Sequence, residues 1–104
     1  MYIIIWEYEV KPASLAEFEN IYAPDGAWAK LFKKQAGYIG TELLRDENQP
    51  QRYLTIDQWA TQEDYEAFRT KWKKEYEALD AQCEGLTERE SLLGNWETVN
   101  REAR

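Results

Sequence analysis

Apolar and polar positions change period along the chain, and each change marks an element. Tyr2 to Val10 is dense in Ile, Tyr and Trp, which predicts a strand, and Pro12 stops it. Ser14 precedes Leu15 and Glu17 follows three positions after it, the spacing of a capping box. Leu15, Phe18, Ile21 and Tyr22 then recur at helical intervals. Pro24-Asp25-Gly26 interrupts that pattern. Asp25 is positioned to cap a second helical piece with Trp28, Leu31 and Phe32 on one face and Lys33 and Lys34 in its last turn. Gly37 marks the stop. Tyr38 to Asp46 reads as a second strand, Glu47 to Gln51 as a hairpin loop, and Arg52 to Trp59 as a third strand. Thr61 caps a long helix with Glu63 and Asp64 in its first turn. Its apolar stripe is Tyr65, Phe68, Trp72, Tyr76 and Leu79, with Lys73 and Glu77 as an i,i+4 pair outside. Gly85 ends the helix. Glu88 to Glu97 is the last strand, and a polar tail, 98–104, follows the 1–97 domain.

The order is βαββαβ. It predicts an α+β, ferredoxin-like fold: a four-stranded antiparallel sheet with both helices on one face. Many functions share that plan. Strand parity is more informative. Tyr2, Ile4, Trp6 and Tyr8 share one face of the first strand, and Tyr53, Thr55, Asp57 and Trp59 one face of the third. In the second strand, Tyr38, Gly40, Glu42 and Leu44 fall together. Neither sheet face is fully polar, although a sheet covered on one side should be polar on the other. The open face is therefore expected to meet a second copy of the chain, giving a homodimer packed sheet to sheet. The face with Tyr2, Trp6, Tyr53, Asp57, Trp59, Tyr38 and Glu42 mixes aromatics with a few polar groups. That is the composition of a pocket lining and also of an aromatic core.

Charge and absent residue types narrow the chemistry. The chain has 104 residues, 13 basic and 20 acidic, for a net charge of −7 and a pI near 4.6. Nucleic acid and anionic membrane surfaces are unsuitable partners for such a balance. There is no histidine, which removes imidazole bases, Ser-His-Asp triads and His-ligated metals. The single Cys83 has no partner for a disulfide or a CxxC site, and no basic residue stands immediately beside it in sequence. Tyr2 to Trp6 is too short to span a bilayer and no targeting segment is evident, so a cytoplasmic location is expected. Lys71, Lys73 and Lys74 read as a solvated helix face.

The strings Ala36-Gly37-Tyr38-Ile39-Gly40-Thr41-Glu42-Leu43-Leu44-Arg45-Asp46 and Arg52-Tyr53-Leu54-Thr55-Ile56-Asp57-Gln58-Trp59 resemble antibiotic biosynthesis monooxygenase (ABM) domains. Val10-Lys11-Pro12, Trp28 with Leu31-Phe32, and Tyr65, Ala67 and Phe68 fit the same pattern over roughly residues 2–97. The resemblance implies a dimeric α+β barrel. It also implies a small oxygenase without metal or flavin, acting with O2 on a phenolic or polycyclic aromatic molecule, with no cofactor. A haem-degrading branch is similar in carrying a Trp where Trp59 stands, but it uses a His on its second helix, and this chain has none.

Oxygenation of a phenol without a cofactor needs a base in an apolar cavity. Asp57 and Glu42 are the candidates. Their structural alternative is an ion pair with Arg45 or Arg52. Trp59, Trp6, Trp28 and Phe32 offer stacking surface, and Tyr53 and Tyr65 complete the expected substrate-binding set. Pro24-Asp25-Gly26 would form a lip over the pocket or a plain helix boundary. The competing function is a non-catalytic, dimeric module that holds a small apolar ligand or serves in stress.

Overall fold

The computed structural model describes residues 1–99. Residues 100–104, most of the expected polar tail, lie outside the described part. Strands β1 (Tyr2–Val10), β2 (Tyr38–Arg45), β3 (Arg52–Trp59) and β4 (Thr87–Glu97) form one antiparallel sheet in the order β2-β3-β1-β4. Helices α1 (Leu15–Tyr22), α2 (Ala27–Phe32), α3 (Gln62–Lys71) and α4 (Lys73–Cys83) connect the strands and cover one face. This is the split βαβ arrangement read from the sequence. The second and third strands begin where the pattern placed them, because alternation is a local property of the chain.

The departures have local causes. Pro12–Ser14 forms a 3₁₀ turn, and the Ser14 N–H donates to the Lys11 carbonyl at 2.9 Å. That donor is therefore used, and the expected capping box does not form: Ser14 makes no side-chain cap bond. Gly26, not Asp25, caps α2. A Cβ at Gly26 would lie 2.3 Å from the Ile21 carbonyl oxygen, so only glycine allows the chain to return this close to α1. Lys33 and Lys34 fall just beyond the helix. Thr61 does cap α3, its hydroxyl accepting the Asp64 N–H at 3.1 Å.

The expected single long helix bends at Trp72 (φ −108°, ψ 27°) into α3 and α4. A straight helix over 62–83 would run about 33 Å, against about 26 Å for an eight-residue strand. The bend keeps the stripe of Tyr65, Phe68, Trp72, Tyr76 and Leu79 on the sheet. Lys73 and Glu77 pair at 3.9 Å on the outside, as spacing predicted.

The core lies between sheet and helices, around Val10, Phe18, Tyr53, Trp59 and Phe68. The opposite sheet face carries Ile3, Ile5, Leu44, Leu54, Ile56 and Trp96, with Leu44 and Trp96 exposed. No helix among the described residues is long and apolar enough to cross a membrane.

Candidate active site

A cavity of about 280 Å³ opens between the sheet and the helices, and every strand and helix contributes to its wall. Ile4, Trp6 and Tyr8 of β1 lie beside Thr55 and Asp57 of β3 and Thr41 of β2 in its floor. The roof is aromatic: Tyr22 of α1, Trp28 and Phe32 of α2, Tyr65 of α3 and Tyr76 of α4. Arg69 of α3, Asp80 of α4 and Glu90 of β4 are exposed and stand at the mouth. Such a wall, apolar and aromatic with few polar groups, is that of a small-molecule site.

Asp57 is the buried acid of this site, with 9 % of its surface exposed. The sheet puts it there: Asp57 pairs with Thr41 across β2 and β3, and directly paired residues share a face. The Thr41 hydroxyl donates to Asp57 Oδ1 at 2.7 Å. Thr41 has one hydrogen, so Tyr38, whose hydroxyl lies 2.7 Å from Thr41 Oγ1, is then the donor to Thr41. The result is a short polar chain from half-buried Tyr38 to the buried carboxyl. Burial disfavours the carboxylate and pushes Asp57 up to about 6, while the Thr41 hydrogen bond pulls the other way. Neither Arg45 nor Arg52 pairs with it. Arg45 reaches Glu19, and Arg52 reaches Glu7 and Asp46.

Around the carboxyl the phenols stay neutral. Burial raises Tyr8 and Tyr22 well above the ordinary tyrosine range and Tyr76 to about 12. The Tyr8 hydroxyl lies 3.2 Å from Thr55 Oγ1. Arg69 donates to the Tyr65 hydroxyl at 2.9 Å and stacks 4.0 Å over the Tyr76 ring. Among the described residues no three metal-ligating side chains come together.

The expected site residues divide. Asp57, Trp6, Trp28, Phe32 and Tyr65 meet at the cavity. Trp59 and Tyr53 lie on the same sheet face but outside the cavity wall. Trp59 is fully buried against Phe32, Tyr38, Tyr65 and Phe68, and Tyr53 packs on Phe18 with its hydroxyl donating to Glu19 at 2.5 Å. Glu42 is not brought to the site. A register shift between Tyr38 and Gly40 moves it opposite Ile56, on the outer face, where it is exposed. Strict alternation from Tyr38 therefore assigns Glu42 to the wrong side. Pro24 and Asp25 form no part of the cavity wall, so the helix break acts as a boundary.

Sequence reasoning did not single out Tyr8, Tyr22, Thr41, Thr55, Arg69, Tyr76, Asp80 and Glu90 as site residues. Tyr8 and Thr55 were available from parity, since they alternate with Trp6 and Asp57 on the inner face. Arg69, Asp80 and Glu90 carried no signal, because they read as ordinary surface charge. Cys83 is buried outside the cavity wall, and burial raises its thiol, which makes it a poor nucleophile.

A one-sided, ferredoxin-like sheet with an aromatic cavity under its helices defines the class. The model of the family described as antibiotic biosynthesis monooxygenase matches residues 1–74, and the chain belongs to that family. Several solved structures share the fold. A point variant of SnoaB, a cofactor-independent oxygenase from Streptomyces nogalater, superposes with a TM-score of 0.79 at 18 % identity, covering 96 % of this chain and 94 % of that one. PA3566 from Pseudomonas aeruginosa gives 0.71 at 14 %, covering 95 % and 94 %. Rv0793 from Mycobacterium tuberculosis gives 0.73 at 11 %, covering 98 % of each. A comparison with curated proteins finds no match.

Proposed function

We propose that this protein is a cofactor-independent oxygenase that acts with O2 on a phenolic aromatic molecule. The observation that carries the reading is Asp57: a buried carboxyl in an aromatic cavity, poised near pH 6 and held by Thr41. The SnoaB likeness adds a precedent on the same fold. Asp57 accepts the phenol hydrogen bond and draws off the proton as the ring becomes electron-rich. The aromatic wall excludes water and holds the ring flat. With a free para C–H, the balance closes: phenol plus O2 gives quinone plus water. One oxygen atom bonds to the para carbon, the other leaves as water, and the substrate supplies all four electrons. Neither Glu42 nor Trp59 is given a direct part, since the first faces away and the second is packed behind the cavity.

The working form in this reading is a homodimer. Its support is the apolar outer sheet face with exposed Leu44 and Trp96, which an isolated chain would leave in water. Sedimentation should give twice 12.4 kDa, and a monodisperse monomer at micromolar concentration refutes the dimer.

Oxygen uptake with a panel of anthrones and para-unsubstituted phenols tests the chemistry. Uptake should rise with pH through about 6 as Asp57 ionises and fall about 100-fold in Asp57→Asn. Ligand binding without uptake on any of them would instead establish the non-catalytic module.

A further inference from the structure

The charges along the cavity, from the Asp57 floor to the mouth, are unbalanced. Asp57, Asp80 and Glu90 belong to the wall against Arg69 alone. Asp80 and Glu90 also continue into a surface hollow with Glu77, Glu84 and Glu88, where Arg89 is already paired with Glu9 at 2.8 Å. Among the described residues Asp80, Glu84, Glu88 and Glu90 make no ion pair. Burial and the neighbouring Asp80 and Glu84 carboxylates raise Glu90 above the usual range, as expected for uncompensated like charges. Arg69 is held on the Tyr65 hydroxyl and the Tyr76 ring, a fixed cation at the opening that feels Asp80 but forms no ion pair with it.

Such a field has a chemical consequence. A phenolate forming near Asp57 would meet net negative charge, and a substrate that brings its own positive charge relieves it. Electron-rich ring faces also attract cations, and a charged mouth raises the local concentration of the opposite sign. We propose that the cavity selects an aromatic ligand bearing a protonated amine, with the ring in the aromatic cavity beneath the contacting Trp28 and Tyr76 rings and the ammonium toward Asp80 and Glu90, and that it turns away carboxylated analogues. This deepens the phenol reading and rests on it.

Three matched probes test it: 3-(2-aminoethyl)phenol, 3-ethylphenol and 3-hydroxyphenylacetate, titrated by tryptophan fluorescence and calorimetry at pH 7.5. At low salt the amine should bind about 10-fold tighter than the neutral phenol, and the acid weakest, with the gap narrowing as salt is added. Asp80→Asn with Glu90→Gln should reduce the amine's advantage about 5-fold. Equal affinities, or preference for the acid through Arg69, overturn the charge assignment while leaving the phenol site standing. If none of the three binds, the aromatic site falls with it.

Discussion

The helix-covered sheet face has two ends built from the same residue types and finished differently. At one end Trp59 is sealed by Phe32, Tyr38, Tyr65 and Phe68, with ring centroids 5.3–5.7 Å apart. At the other, Tyr8, Tyr22, Trp28 and Tyr76 also pack on one another, with centroids 5.1–6.2 Å apart, but together they line open space. The difference lies in the floor. Beneath the open end the inward positions of β2 and β3 are Thr41, Thr55 and Asp57, which are short. Large rings on the helices keep the layers apart, and short side chains below cannot fill the depth. At the sealed end a Trp fills it, and α3 starts immediately after β3, anchored by the Ala60 N–H bond to the Gly37 carbonyl at 2.7 Å. Aromatic content alone therefore does not distinguish a core from a pocket; the size of the residue opposite does.

The sharpest way to break this comparison is to truncate one tryptophan at each end. Trp59→Ala should cost about 3–5 kcal/mol in urea unfolding, and Trp6→Ala, on the cavity wall and only partly buried, about 1 kcal/mol. Equal costs would mean that the open end is packed as tightly as the sealed one. Trp59→Phe should lose less than Trp59→Ala, because the retained ring leaves a smaller cavity, and neither variant forfeits a hydrogen bond since the buried indole N–H has no acceptor.

Next in size is Asp57→Asn, with the opposite sign. The folded protein holds this carboxyl at about 6 against an ordinary 3.8. Its favourable contribution is complete below 3.8 and is lost as pH rises through about 6. Wild type should therefore lose about 2.5 kcal/mol between pH 4 and 7.5 that the variant keeps. Unfolding curves at the two pH values check this, and a gap that does not change with pH refutes the buried-acid assignment. Gly26→Ala should cost about 2 kcal/mol, because its Cβ collides with the Ile21 backbone and shifts α2, which serves both ends through Trp28 and Phe32. The smallest effect belongs to a control outside both: Lys73→Ala should change stability by only about 0.3–0.5 kcal/mol.

Much of the fold was legible in the chain. Alternation located β1 and β3, and Thr61 with its acidic first turn located the start of α3. The candidate site was legible in part. Asp57, Trp6, Trp28, Phe32 and Tyr65 share one cavity wall. Glu42 failed because a single shifted residue near Ile39 reverses every later side chain of β2. The Ser14 capping box failed because a 3₁₀ turn had already taken its backbone donor.

By itself the sequence determined what is local: the order of the elements, their periods, the missing histidines and the acidic balance. Only the tertiary structure decided which aromatics pack and which line a cavity, which acid is buried, and which surface charges gather at its mouth. Those outcomes depend on the volume and charge facing a residue across the layers, and residues far apart in sequence supply both. Thr41 facing Asp57, and Asp80 facing Glu90, exist only once β2, β3, β4 and α4 are assembled.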